Sequence, residues 1–249
     1  MISQTLYEKL LELHLNAFRE GLREQTSNPK YIDLPFEERL LLLVELECIH
    51  RSDNRIKRRF KMAEFPMTAA IEDLDFSPER GLDKHLILEL AQCSWVDKAL
   101  NILILGATGT GKSFLASSLG VAACRSGYSV RYWRTSRLLH SLAHARQDGS
   151  YLLFLRSLNK TDVLILDDWM RDPIQLSGAQ DLLEIFDDRF GKATTVIVSQ
   201  IPVTDWHLRF PDPTLADAIL DRTIHNAYRL SLLGDSQRKL RGNRSMPHT

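Results

Sequence analysis

Apolar positions near the N-terminus recur at helical spacing. Leu6, Leu10, Leu13 and Ala17 form one stripe, and Leu11, Leu15, Phe18 and Leu22 form a second beside it. Together they predict one amphipathic helix from Leu6 to Leu22 with a broad face to bury. Asn28-Pro29 ends it, and Pro35 suits the first turn of a second helix running from Phe36 to about His50. Ser52-Asp53-Asn54 reads as the cap of a third segment, which Pro66 ends. From Pro66 to Leu100 the pattern is that of a connector, with a helix start at Ser77-Pro78 and an apolar helical stretch from Leu86 to Ala91. After that the texture changes. Short apolar runs at Asn101–Leu105, Tyr128–Trp133, Asp162–Leu166 and Thr194–Val198 predict strands. Helical patterns over Phe114–Cys124, Ser136–Arg146 and Ser177–Phe190 lie between them. A last helix carries Leu215, Ile219, Leu220, Thr223 and Ala227, before a strand-like Tyr228–Leu232 and a basic tail. Short strands alternating with helices predict an α/β fold: a parallel sheet flanked by helices. Residues 1–66 then form an N-terminal helical domain for DNA or partner binding, and residues 67–249 the α/β domain with a short C-terminal lid region.

The chemistry gathers around the first strand. Gly106-Ala107-Thr108-Gly109-Thr110-Gly111-Lys112-Ser113 fits G-x-x-x-x-G-K-[ST] at every fixed position, with Phe114 opening the helix behind it. Backbone N–H groups can wrap a polyphosphate only where no Cβ intervenes, which is what the glycines supply. The helix N-terminus adds partial positive charge beneath. Lys112 is placed for the β and γ oxygens, and the Ser113 hydroxyl for Mg²⁺. The plain alternative is a glycine-rich turn before a helix, but strand, loop and helix are all in the order that a triphosphate site requires.

The run Val163–Leu166 ends in Asp167-Asp168, which a buried parallel strand delivers to the edge of the sheet where ligands sit. Asp167 is expected in the Mg²⁺ shell and Asp168 beside the attacking water, while Trp169 reads as packing. Ser199 and Gln200 end another strand, and either could sense a γ-phosphate or position water. His140 and His144 stand one turn apart without an adjoining acid or a third ligand, and read as surface residues rather than a zinc site.

Between His50 and Lys61, Arg51, Arg55, Lys57, Arg58, Arg59 and Lys61 oppose only Asp53. Such a helix suits DNA phosphates; the competing view is a solvated face paired with Glu37, Glu38, Glu45 and Glu47. The formal net charge of +0 hides this local excess. With 249 residues, 44% of them hydrophobic, the chain can bury a sizeable core. No apolar run approaches a membrane span, and Met1–Leu6 has no secretory character. Cys48, Cys93 and Cys124 have no metal or disulfide spacing and fit small core residues in a reducing cytoplasm.

The ordered set GATGTGKS (Gly106–Ser113), VLILDDW (Val163–Trp169), Ser199-Gln200-Ile201-Pro202, ILDR (Ile219–Arg222) and Ser236-Gln237-Arg238 resembles the IstB family. These are ATP-binding helpers of IS21-type transposition in bacteria, within the AAA+ group that includes the DnaC helicase loaders. The resemblance covers roughly Phe76 to the C-terminus. It implies an AAA+ P-loop ATPase that uses ATP and Mg²⁺, with Arg222 as arginine finger, Arg238 as second sensor and Ser199 or Gln200 as first sensor. Asp168 stands where many AAA+ proteins have Glu, and Arg189 is a weaker candidate for contact across subunits. The resemblance further implies a homo-oligomer with ATP in its interfaces, double-stranded DNA as ligand and a transposase as partner. A DnaC-like loader and, more remotely, a small-molecule kinase are the alternative readings.

Overall fold

The computed structural model describes residues 4–237. The chain divides into two units, Met1–Arg58 and Arg59–Thr249, with the boundary inside a helix and ahead of Pro66.

The first unit is helical. Two helices, α1 (Gln4–Glu12) and α2 (Asn16–Ser27), replace the single one expected from Leu6 to Leu22. Both stripes exist, but the chain turns between them. His14 is left-handed at φ 55, and the N–H groups of His14 and Leu15 bond back to the carbonyls of Leu11 and Leu10, closing α1. Leu10 is buried, while Leu11 and Leu13 are exposed. The α2 N-terminus lacks a cap of its own. Glu47 supplies one from afar, accepting the N–H groups of Ala17 at 3.0 Å and Phe18 at 3.1 Å. Helix α3 (Phe36–Ala63) is continuous through Ser52, where a break was expected. Asn54, one of the three residues read as a cap, instead pairs with His50 one turn back, at 2.8 Å. Cys48, expected in a core, is exposed on this helix; Cys93 and Cys124 are buried.

In the second unit, 3-10 turns at Ile71–Asp73 and Pro78–Arg80 precede α4 (Lys84–Ala91), which Asp83 caps, and α5 (Ser94–Asp97). Then follow β1 (Asn101–Gly106), α6 (Lys112–Arg125), β2 (Val130–Arg134), α7 (Thr135–Gln147) and α8 (Tyr151–Asn159). The remainder is β3 (Val163–Trp169), α9 (Leu176–Arg189), β4 (Thr194–Ser199), α10 (Pro213–Ile224) and β5 (Ala227–Leu232). Sequence patterning passed over α8, although Leu155 and Leu158 bury one side of it. Ala227, expected at the end of the last helix, opens β5 instead.

The five strands pair in parallel in the order β2-β3-β4-β1-β5. The apolar character of β1, β3 and β4 follows from cover on both faces. Ile102, Ile104, Ile165, Val196 and Val198 enter one core with Leu115 and Leu119 of α6. Leu103, Leu164, Leu166 and Ile197 enter the other, with Leu138 of α7 and Leu182 of α9. Because β4 lies between β1 and β3, the C-terminal ends of these three strands are side by side, and the site is built there.

Candidate nucleotide site

The loop after β1 is held in a conformation that needs its glycines. Gly109 and Gly111 have φ of 85 and 93, and a Cβ on Gly111 would lie 3.2 Å from the Arg80 guanidinium. Thr110 closes the turn internally, its N–H and Oγ1 both donating to the Ala107 carbonyl, at 3.3 and 2.8 Å. Lys112 Nζ donates to the same carbonyl at 2.8 Å, which lays the ammonium across the loop. Ser113, in the first turn of α6, donates its hydroxyl to Asp167 Oδ2 at 2.7 Å. Tyr132 of β2 donates to that same carboxylate oxygen, and burial with the Asp167 charge pushes the Tyr132 pKa well above its ordinary 10.0. A hydroxyl and a carboxylate converging beside a lysine-bearing loop are the oxygen donors that Mg²⁺ on a polyphosphate takes. The residues present therefore fit both groups.

A bulge separates the two acids. The β3–β4 register shifts between Leu166 and Trp169, and Asp168 is left-handed at φ 56. Asp167 consequently turns to Ser113 and Tyr132, whereas Asp168 pairs with Arg171 at 3.1 Å and lies 3.9 Å from Arg134. Trp169 is packing: fully buried, its ring meets Trp206, Phe186 and Phe210 edge-on.

Ser199 and Gln200 separate clearly. Ser199 is 1% exposed; its hydroxyl donates to the Trp169 carbonyl at 2.8 Å and accepts the Ile201 N–H at 3.0 Å, so it serves the turn after β4. Gln200 Oε1 accepts the Thr108 hydroxyl at 2.5 Å and reaches the loop itself.

Arg222 and Arg189 are not at this edge. Arg222 sits at the opposite end of β1: its carbonyl accepts Asn101 Nδ2 at 3.1 Å, and its guanidinium is paired with Asp187 and bonded to the Ala218 carbonyl. A strand of this length separates the two ends by roughly 15–20 Å, so Arg222 does not face its own chain's loop. Arg189, a candidate for contact across subunits, is buried. It donates to the carbonyls of Leu158, Thr161 and Thr194 and ties α8, α9 and β4 together, with burial lowering its pKa to about 10. That correction follows from its partners, which leave no donor for a neighbour. Arg238 lies outside the described residues. His140 and His144 are exposed, His144 pairing with Asp148.

Arg51, Arg55, Lys57, Arg58, Arg59 and Lys61 all lie on α3. Among the described residues Arg51 alone of the six forms an ion pair, with Glu47, so the pairing that the competing view requires is found at one position. Sequence reasoning missed the residues beside the loop in the lead-in segment. Met67, Leu74, Asp75, Arg80 and Leu82 line a cavity with Lys112. Only their position before β1 hinted at this.

The chain matches the family described as IstB-like ATP binding protein over residues 8–245. It is 42% identical over 239 residues to y4pL of Sinorhizobium fredii (strain NBRC 101917 / NGR234), named as an insertion sequence ATP-binding protein, covering 96% of this chain and 98% of that one. A Pseudomonas aeruginosa protein named for ATP binding in insertion sequence IS21 is 32% identical over 235 residues, 94% of this chain and 88% of its own. Among solved structures, the DnaC helicase loader superposes with a TM-score of 0.53 at 18% identity, over 71% of this chain and 99% of that one, a likeness of fold. No described helix is long and apolar enough to cross a membrane.

Proposed function

This chain belongs to the IstB-like ATP binding protein family, and from that premise we propose that it is an ATP-dependent, DNA-binding assembly that marks target DNA and stimulates the transposase of its own element. ATP binding is the property that the family carries.

One observation carries the assembly: the phosphate loop and Arg222 occupy opposite ends of the same strand. An arginine there serves a nucleotide only by reaching the loop of a second copy, so ATP becomes part of the joint between subunits. Ser113 and Asp167 would hold Mg²⁺, which would supply neutralisation of charge on the phosphates. Lys112 and the loop amides orient the β and γ oxygens. Gln200, reaching the loop through Thr108, positions the attacking water, and Asp168 accepts its proton once Arg171 releases the carboxylate. Arg238 adds a second cation. Loss of the γ-phosphate then loosens the joint. Arg51, Arg55, Lys57, Arg58, Arg59 and Lys61, repeated on successive copies, form a multivalent track for duplex phosphates with little sequence preference.

Sizing the protein with duplex DNA in ATP, ADP or no nucleotide tests this. Large complexes are expected with ATP alone. Reversing charge at Arg55, Arg58 and Arg59 should lower DNA affinity and flatten its dependence on salt, by roughly one in the log–log slope for each phosphate no longer neutralised. Nucleotide-indifferent DNA binding would sink the proposal. Capture of a replicative helicase without stimulation of strand transfer would make the chain a loader instead.

A further inference from the structure

Arg80 is an arginine in an unusual place. It is 5% exposed, yet no carboxylate pairs with it among the described residues. Its Nη2 donates to the Thr110 carbonyl of the phosphate loop and its Nη1 to the Leu233 carbonyl just past β5, at 3.2 Å, while Nε is buried with no partner. The Arg80 carbonyl in turn accepts the Leu233 N–H at 3.0 Å. One residue thus fastens the lead-in turn to the loop and to the segment leaving the sheet, and it lines the cavity shared with Lys112 and Ser113.

We propose that Arg80 is a positioning residue for the nucleotide: its buried guanidinium fixes the loop from behind and adds positive charge beneath the polyphosphate. This rests on the nucleotide-binding reading of the loop. In a trans peptide the carbonyl of Thr110 and the N–H of Gly111 point to opposite sides. Holding that carbonyl therefore sets the Gly111 N–H away from Arg80, free for a phosphate oxygen. The close approach depends on Gly111 having no Cβ. A cation buried without an anion costs stability, and a fold keeps one where a ligand repays the cost.

The test is to replace Arg80 by Met, and separately by Lys, in the full chain. Affinities for ATP, ADP and AMP are measured by calorimetry, and urea unfolding is followed without nucleotide. Arg80→Met is expected to weaken ATP and ADP by about ten- to hundredfold and AMP much less, because the missing charge acts on the polyphosphate. Its unfolding midpoint without nucleotide should be little changed, since removal of an uncompensated buried charge offsets the two carbonyl bonds lost. Arg80→Lys, with the charge but not the two-pronged grip, should fall between. Unchanged ATP affinity overturns the proposal, as does an equal loss for all three nucleotides with a lowered midpoint, the signature of a merely structural residue. If Arg80→Met does not fold, wild-type ATP affinity in Arg80→Lys overturns it. A parent chain that binds no ATP would instead sink the reading beneath.

Discussion

Ser199 and Gln200 are neighbours in the chain with nothing in their spacing to separate them. Their surroundings do. The Ser199 hydroxyl is spent on the Trp169 carbonyl and the Ile201 N–H, so Ser199→Ala should cost about 1–3 kcal/mol by leaving a buried carbonyl and a partly buried N–H unmatched. Gln200 touches the loop through Thr108 and little else. Gln200→Ala should leave stability within about 0.5 kcal/mol of the parent and lower ATP turnover roughly tenfold or more. Urea unfolding and steady-state turnover on both variants check this; a turnover loss confined to Ser199→Ala would reverse the assignment. The two acids make the same point. Both were legible as a pair at a strand end, but the bulge that aims Asp167 at Ser113 and Asp168 at Arg171 depends on the β4 register, which local sequence does not encode.

At the scale of elements, the N-terminal helices show where periodicity succeeds and where it stops. Both apolar stripes of α1 and α2 were visible, yet the turn at His14 was not, because a left-handed residue leaves no mark on the hydrophobic pattern. The cap of α2 was equally hidden, since Glu47 comes from another helix. Burial pushes the Glu47 carboxyl up, but the Arg51 hydrogen bond and the N–H groups of Phe18 and Ala17 outweigh it and hold the group below its ordinary 4.5. A folded pKa below the unfolded one means stabilisation present above the unfolded value and lost as pH falls through the folded value. Glu47→Gln should therefore cost about 1 kcal/mol at neutral pH. The parent should lose stability more steeply than the variant between about pH 5 and about pH 3. Parallel pH-dependent losses in urea midpoint would show that the carboxylate does not cap the helix.

For the whole molecule, the separation of loop and arginine predicts catalysis shared between copies. Arg222→Ala should lower turnover on the order of a thousandfold while ATP binding persists, and Lys112→Ala should abolish binding at its own loop. Mixing the two inactive proteins should restore partial turnover, because an intact Lys112 loop then meets an intact Arg222 from a neighbour. Absence of any recovery, with mixed complexes demonstrated by sizing, would place Arg222 outside the chemistry. Within the chain, Asp187 pairs with this guanidinium.

What the sequence determined by itself is local. Gly106–Ser113 between an apolar run and a helix specifies a phosphate loop because glycine conformation, helix dipole and the lysine and serine side chains act within one short segment. The alternation of apolar strands with helices likewise specifies a parallel sheet with helices on its faces, which buries both sides of the inner strands. Tertiary structure decided which side chains meet: Ser113 with Asp167, Gln200 with Thr108, Arg80 with the loop from behind, Arg222 with Asp187 at the far edge, and Arg189 sealed inside. These pairings join residues far apart in the chain through strand order and register, and those are set by the packing of the whole sheet rather than by any stretch of sequence within it.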